Sequence, residues 1–265
     1  MHDQPLVITE KFKLKHFDPD FFAGLDKEAT KKKVDGLVQR IGDLQELLYA
    51  NSNHAIVLLF QGLDASGKDG AVRRVLERVN PVGVEVANFK VPSEEERAHD
   101  YLWRVHRAVP RYGNIGVFNR SHYEAVLAER VLGLVSHKIC SQRYEQIVAW
   151  ERMLVENRVV LLKFFLHLSR DEQAERFRER LGNPRKNWKF SSADLTVRKK
   201  WNAYGAAYED MLNATSHKAA RWHIVPADRN WYRDFVVANT VVNALEALRL
   251  RWPKPKEDLS KIHVK

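Results

Sequence analysis

Apolar residues along the chain follow two alternating patterns. Short, nearly continuous apolar runs are typical of buried strands, and longer stretches with apolar residues three and four positions apart are typical of amphipathic helices. The strand-like runs lie at 57–60, 82–91, 113–118, 158–168 and 222–227. The helical stretches include 26–50, 93–109, 141–157, 194–213 and 235–250. This alternation predicts an α/β fold with a five-stranded parallel sheet between helices.

The turn after the first strand carries the clearest chemical signal. Residues 62–68 read G-x-x-x-x-G-K, and an amphipathic helix follows. About one chain in ten of this length holds such a motif by chance, but chance seldom places it between a buried strand and a helix. Backbone N–H groups of such a loop surround an oxyanion, and its lysine reaches the transferable phosphate. The predicted phosphate-binding residues are Gly62, Ala65, Ser66, Gly67, Lys68, Asp69 and Gly70.

The residue that follows the lysine departs from the usual loop. Asp69 stands where Ser or Thr ordinarily holds Mg²⁺. A carboxylate must then hold the metal, and Asp64, inside the loop, is the nearest candidate, with Asp69 and Glu124 as alternatives. The sequence therefore predicts Mg²⁺ as cofactor, with Asp64 as its ligand.

The third strand ends in a second group of candidate site residues. Asn119 and Arg120 follow it directly, and ligands of open α/β sheets gather at the carboxyl ends of strands. Glu124 and Arg130 lie one and two turns along a helix predicted to begin there, where they either extend the site or form a surface pair. His122 is interpreted as a capping or packing residue.

A helix dense in Arg and Glu follows the fourth strand and is predicted to end at Gly182 and a turn at Pro184. With the basic and aromatic residues beyond the turn, it forms a segment at about residues 170–190. Arg176 and Arg180 lie on neighbouring turns, so one face presents two guanidinium groups to a triphosphate-like charge. In a small P-loop kinase this is the position of the lid. The alternative is a solvated helix crossed by weak i,i+4 ion pairs.

Composition limits the possible partners. Forty-four Lys and Arg against 34 Asp and Glu give a formal charge of +10, which indicates a polyanionic partner: nucleic acid, nucleotide or phosphate polymer. The single Cys140 excludes an internal disulfide and a Cys-rich metal site. No secretory leader and no apolar run of membrane-spanning length is present, so we expect a cytoplasmic protein. We expect one domain over residues 1–265, with residues 1–25 as an arm over the core.

Several co-linear segments, from about residue 12 to the last helix, resemble the polyphosphate kinase 2 family. They read GLDASGKDG, DYLWRVHRAVP, FNRSHYE, RFRERLGNPRKNWKF and PADRNWYRD. The resemblance implies a P-loop kinase fold in which inorganic polyphosphate, with Mg²⁺, donates its terminal phosphoryl group to a nucleotide. It implies that Gly62, Gly67 and Lys68 form the Walker A loop with the magnesium-associated Asp64. The Walker B region is then Asn119 and Arg120, and the lid arginines are Arg176 and Arg180.

The residues after the third strand also resemble one subgroup of that family. Residues 121–124 read SHYE, similar to the subgroup called class III, which phosphorylates both nucleoside monophosphates and diphosphates. The resemblance implies a homo-oligomer that binds polyphosphate and these nucleotides, without a nucleic-acid or membrane partner. An ATP-dependent nucleotide kinase is an alternative with the same fold, although it leaves the positive charge unexplained. A basic nucleic-acid-binding protein is a second alternative, although the chain carries no recognised nucleic-acid motif.

Overall fold

A computed structural model describes residues 6–262 and 264 of the chain. Its strands are β1 (Ala55–Gln61), β2 (Val84–Asn88), β3 (Ile115–Asn119), β4 (Val159–His167) and β5 (Trp222–Pro226). Its helices are α1 (Lys27–Asn51), α2 (Lys68–Val75), α3 (Glu94–Arg97), α4 (Trp103–His106), α5 (Ala128–Val131), α6 (His137–Glu156), α7 (Arg170–Gly182), α8 (Ser192–Lys199), α9 (Trp201–Thr215) and α10 (Asn230–Ala247). None of the helices in these residues is long and apolar enough to cross a membrane.

The five strands form one parallel sheet in the order β2-β3-β1-β4-β5, which confirms the predicted fold class. β1 lies at the centre and all seven of its residues are buried. Its side chains alternate between two cores, since successive residues of a strand point to opposite faces. Val57 and Leu59 pack on one face of the sheet with α6 and α9. Ile56 and Leu58 pack on the other with α1 and α10.

The arm before α1 contacts the edge of the sheet and the start of α10. Ile8 N donates to Trp222 O (3.0 Å), and Ile224 N donates to Leu6 O (2.8 Å). Phe21 packs edge-on against Tyr232. The described part of the arm therefore lies along the edge strand β5 and the start of α10.

Three helices that the sequence predicts as continuous are interrupted in the structure. The helix predicted at 93–109 is two one-turn helices, α3 and α4, because Asp100 accepts a hydrogen bond from Leu102 N (2.9 Å) and so competes with the helical backbone. The helix predicted after β3 is a 3₁₀ turn, His122–Ala125, followed by the short α5. The helix predicted at 194–213 is divided into α8 and α9 at Lys200, whose backbone leaves the helical region.

Candidate functional site

The loop between β1 and α2 has a backbone that only certain residues allow. Gly62 (φ +150°) and Gly67 (φ +93°) adopt conformations that favour glycine. A Cβ on Gly62 would also come within 2.8 Å of Leu166 O. Ala65 has φ +67°, a strained value for a residue with a side chain. α2 begins at Lys68, so its free N–H groups and positive dipole end lie at the loop.

Lys68 lies folded over this loop. Its Nζ donates to Gly62 O (2.7 Å) and Leu63 O (3.2 Å), and the residue is only 8% exposed. Burial lowers the pKa of Lys68 to about 8, although the negative charge of Asp64 opposes the shift. The lysine is therefore held at the loop by carbonyl oxygens that a phosphate oxygen would compete with.

The carboxyl end of β3 brings a second group to the loop, as predicted. Arg120 Nη2 lies 2.6 Å from Asp64 Oδ1, and Arg120 Nη1 lies 3.7 Å from Glu124 Oε2. Burial raises the pKa of Glu124, and the charge of Arg120 opposes the shift. The Gln61 side chain lies between Ser121 and Glu124, with its amide NH₂ 3.1 Å from Glu124 Oε1.

Asp69 links three parts of the site. Asn119 Nδ2 donates to Asp69 Oδ1 (2.8 Å), and Lys189 Nζ lies 3.8 Å from Asp69 Oδ2. The aspartate that replaces the usual hydroxyl residue thus faces an amide and an ammonium group. It joins α2 to the end of β3 and to the segment after α7.

The structure separates the roles of the two arginines on α7. Arg176 donates to Ala65 O (2.9 Å), Ala227 O (2.7 Å) and Asp228 O (3.1 Å), and it pairs with Glu172 (2.8 Å). Among the described residues, Arg180 makes longer contacts, with Lys189 O (3.4 Å), Asp194 Oδ2 (3.6 Å) and the Phe177 ring (5.5 Å to its centroid). Arg176 therefore fastens α7 to the loop, a structural role that its sequence pattern does not show.

Two grooves meet at the loop. The arginine groove, about 700 Å³, is lined by Ala65, Gly67, Gly70, Arg73, Arg74, Glu77, Glu172, Arg176, Glu179, Arg180, Lys186, Lys189, Asn230, Arg233 and Asp234. The carboxylate groove, about 630 Å³, is lined by Asp64, Ala65, Gly67, Lys68, Asp69, Gly70, Lys90, Asn119, Arg120, Arg180, Trp188, Lys189, Ser191 and Asp194. Most of the sequence-predicted site residues line one or both of them.

Arg233 is a groove residue that sequence reasoning misses. Its guanidinium lies so close to Gly67 that a Cβ there would overlap it, and Asn230 Oδ1 (2.6 Å) and Asp234 Oδ1 (2.6 Å) hold it in place. A signal exists, because Arg233 follows the carboxyl end of β5, the same kind of position that indicates Asn119. The sequence places the start of the last helix at residue 235, whereas α10 begins at Asn230.

Arg130 lies outside both sets of groove-lining residues. Its guanidinium contacts Asp210 Oδ2 (2.7 Å) and Tyr144 OH (3.3 Å). Its predicted contact with substrate therefore stays a prediction, since the side chain is engaged by α6 and α9. The structure gives the same residue a place in packing these helices against α5.

The carboxylates of the site suit a metal bound jointly with substrate. Among the described residues, no three His, Cys, Asp or Glu side chains form a metal-binding cluster. Mg²⁺ does not need such a cage, because proteins usually bind it through one or two carboxylates together with phosphate oxygens and water. Asp64 lines the carboxylate groove and keeps 22% of its side chain exposed, so its donor atoms fit this mode of binding.

A phosphate-binding loop at the centre of a parallel sheet defines the class of protein. The loop presents α2's N-terminus, a buried lysine and flanking arginines to two anion-attracting grooves, as in P-loop phosphotransferases. Within that class, the chain belongs to the polyphosphate kinase 2 family, whose model, "Polyphosphate kinase 2 (PPK2)", matches residues 24–252. The predicted family membership is confirmed.

Individual relatives agree over nearly the whole chain. The AMP/ADP-polyphosphate phosphotransferase of Meiothermus ruber is 47% identical over 254 residues, which cover 95% of each chain. The ADP-polyphosphate phosphotransferase of Rhodopseudomonas palustris is 44% identical over 240 residues, covering 86% of this chain and 83% of that protein. The crystal structure of polyphosphate kinase 2 from Arthrobacter aurescens TC1 has a TM-score of 0.94 at 37% identity, covering 96% of this chain and 92% of that one.

The contacts of the two lid arginines predict different effects on stability. Arg176→Ala leaves one loop carbonyl and two carbonyls after β5 without this donor, so we expect it to lower the free energy of unfolding by about 1–3 kcal/mol. Arg180→Ala removes only weak contacts, so we expect a change within about 0.5 kcal/mol. Both variants should lose kcat/KM. Urea titrations beside initial-rate assays measure the two effects, and equal losses of stability would contradict the assignment.

Burial of Lys68 predicts a pH limit on activity. The pKa in the free protein, about 8, lies below the ordinary value of 10.5, so the ammonium form is present below pH 8 and is lost as pH rises through it. We expect kcat/KM to fall above about pH 8, and kcat to fall only at higher pH, because bound phosphate favours the ammonium form. Lys68→Arg is the control, since arginine stays protonated. If kcat/KM of Lys68→Arg still falls above about pH 8, another titrating group causes the fall.

Proposed function

We propose that this protein transfers the terminal phosphoryl group of inorganic polyphosphate to nucleoside mono- and diphosphates, with Mg²⁺ as cofactor. The observation that carries the proposal is the meeting of two cationic grooves at one phosphate-binding loop. The printed names of its relatives support the same substrates: the Meiothermus ruber protein is an AMP/ADP-polyphosphate phosphotransferase. We further propose, on the family resemblance, a cytoplasmic homo-oligomer.

The arginine groove has the chemistry of a site for the polymeric donor. Its cationic residues are Arg73, Arg74, Arg176, Arg180, Lys186, Lys189 and Arg233. They exceed its acidic residues, which are Glu77, Glu172, Glu179 and Asp234. None of the described residues that line it is aromatic, so it offers charge along its length but no ring on which a nucleobase stacks. A linear polyanion suits this groove better than a nucleotide does.

The carboxylate groove suits the acceptor. Asp64, Asn119 and Arg120 line this groove, where the guanidinium of Arg120 and a metal held by Asp64 would neutralise a phosphate group. Trp188 lines the same groove and is 78% exposed, which leaves an aromatic surface for a base. A nucleotide placed in this way directs its terminal phosphate towards Lys68.

Phosphoryl transfer asks for alignment and charge neutralisation more than for a covalent nucleophile. An oxygen of the acceptor phosphate forms the new bond to the terminal phosphorus of the donor, and the bond to the bridging oxygen breaks. The electron pair stays with the shortened polyphosphate. Lys68, Arg120 and the loop N–H groups stabilise the spreading charge. Mg²⁺, held by Asp64 when bound, supplies further neutralisation of phosphate oxygens.

Donor choice tests the proposal against an ATP-dependent nucleotide kinase. With ADP and Mg²⁺, ATP should form when polyphosphate is the only other phosphate source. Lys68→Ala should stay folded and lose at least about 3 kcal/mol of transition-state stabilisation, a rate loss of two orders of magnitude or more. Transfer that requires a nucleoside triphosphate and ignores polyphosphate would establish the kinase alternative instead.

The proposed role of Asp64 as metal ligand leads to a prediction of how activity depends on Mg²⁺ concentration. Asp64→Asn removes a charged oxygen from the proposed metal site, so we expect half-maximal activity to need at least about ten times more Mg²⁺. Asp69→Asn is the matched control, because Asp69 already faces Asn119 and Lys189. Magnesium titrations of both variants measure the effect. A shift in Asp69→Asn alone would move the metal ligand to that residue.

The proposed role of Glu124 leads to a prediction of which nucleotides accept the phosphoryl group. A monophosphate acceptor presents its reactive oxygen one phosphate unit nearer the nucleoside. On this proposal, the Glu124 carboxylate would hold a water or metal ion that fills the difference. We expect Glu124→Asn to lower kcat/KM for AMP more than for ADP, by about tenfold. Paired rate measurements with polyphosphate decide the point. Equal losses would make Glu124 a general site residue, and a wild-type protein inactive on AMP would overturn the class III prediction.

A further inference from the structure

A buried group of charged and polar side chains lies beneath the turn that carries Arg120 and Glu124. Glu151 on α6 and Lys163 on β4 are both 0% exposed and pair at 2.6 Å. Lys163 Nζ also donates to Thr215 O (2.8 Å) and Tyr123 OH (3.1 Å). All three protons of the ammonium group thus have acceptors, which is how a charge becomes tolerable in a core.

The Glu151 carboxylate also has hydrogen-bond partners other than Lys163. Tyr123 OH donates to Glu151 Oε1 (2.6 Å), and His217 Nε2 lies 2.9 Å from Glu151 Oε2. His122 Nε2 lies 3.5 Å from Glu151 Oε1. Burial alone would raise the pKa of Glu151, but the charge of Lys163 and the two histidines hold that pKa below its ordinary value. The carboxylate is therefore ionised and bonded on both oxygens.

Such a pair seldom stabilises a fold more than apolar residues of the same volume would. A fully bonded network does, however, specify one arrangement of the elements that it joins. The elements here are the turn after β3, through Tyr123, and the last residue of α9, through Thr215 O. α9 follows the short α8, which is the first helix after the predicted lid segment.

The turn needs such an anchor, because its backbone is strained. Arg120 has φ +62°, a left-handed conformation that a residue with a long side chain adopts only when its surroundings determine it. On the site side, Arg120 N donates to Phe60 O (3.0 Å) and Ser121 Oγ accepts from Tyr123 N (3.2 Å). On the core side, Tyr123 OH bonds to Glu151 and Lys163, and Ala125 O accepts from Arg143 Nη1 (2.6 Å).

We propose that Glu151 and Lys163 are positioning residues for phosphoryl transfer: through Tyr123 they hold the strained turn that carries Arg120 and Glu124 in place relative to α9. This inference rests on the proposed function. Neither residue touches a groove, so both act through the turn. The arginine groove contains no residue of the turn, and its binding of donor is independent of the network.

The first test is Tyr123→Phe, which removes the hydroxyl and keeps the ring. We expect kcat on AMP and ADP to fall about tenfold, because a displaced catalytic group lowers the rate of transfer. KM for polyphosphate should not change. His217→Ala is the matched control: it also removes one contact to Glu151, but on the side away from the turn, so it should lower the melting temperature without lowering kcat.

Two further variants separate positioning from general stability. In a Glu124→Gln background, Tyr123→Phe should have a much smaller effect on kcat, because the two changes disturb the same group. Glu151→Met/Lys163→Met replaces the pair by apolar side chains, so it should fold and still lose kcat.

The outcomes of these experiments distinguish the positioning role from the proposed function. Wild-type kcat in both Tyr123→Phe and the Met/Met variant, in a protein that uses polyphosphate, would overturn the positioning role alone. So would a loss of kcat in His217→Ala as large as that in Tyr123→Phe. A wild-type protein that does not use polyphosphate would overturn the proposed function and this inference with it.

Discussion

The conformation of the loop after β1 depends on side chains of α2 and α7 that donate hydrogen bonds to its carbonyl oxygens. Lys68 donates to Gly62 O, Gln173 to Asp64 O and Arg176 to Ala65 O. Each peptide whose carbonyl is fixed in this way has its orientation set, and the neighbouring N–H groups are set with it. A concave array of N–H groups is what attracts an oxyanion. The anion-binding property of the loop is thus maintained by donors on two other elements as well as by its glycines.

This arrangement divides the predicted lid segment, at about residues 170–190, into two parts. The first half of α7 carries Gln173 and Arg176 and is bonded to the loop and to the residues after β5. The later part, with Arg180 and the segment to Lys189, makes longer contacts and lines both grooves. A movement that closes the grooves is therefore easier after Arg180 than at the start of the helix, because hydrogen bonds to buried carbonyls resist displacement.

The sequence predicts those parts of the molecule that local patterns determine. A strand buried on both faces, a glycine-bracketed loop and the helix after it require no distant partner, and the carboxyl-end rule places Asn119 and Arg120 correctly beside the loop. Patterns do not show which acceptors an arginine reaches, so Arg176 resembles Arg180 until the fold brings it to Ala227 O. Arg130 meets Asp210, 80 positions away, and periodicity contains no information on such a pair. The sequence pattern misses Arg233 because it predicts the start of the last helix five residues after the observed start of α10.

Arg180 and Lys189 line both grooves, so the two anionic ligands of the proposed arrangement would share their charge. Whichever ligand binds first reduces the positive potential that the second one meets, and the two binding equilibria are thermodynamically linked. Linkage is reciprocal: the change in free energy that the donor imposes on the acceptor equals the change that the acceptor imposes on the donor. A divalent cation between the two ligands opposes this mutual repulsion. Arg180 and Lys189 would thus reduce the energetic cost of bringing the two polyanions together, and salt, through screening, changes the size of that cost.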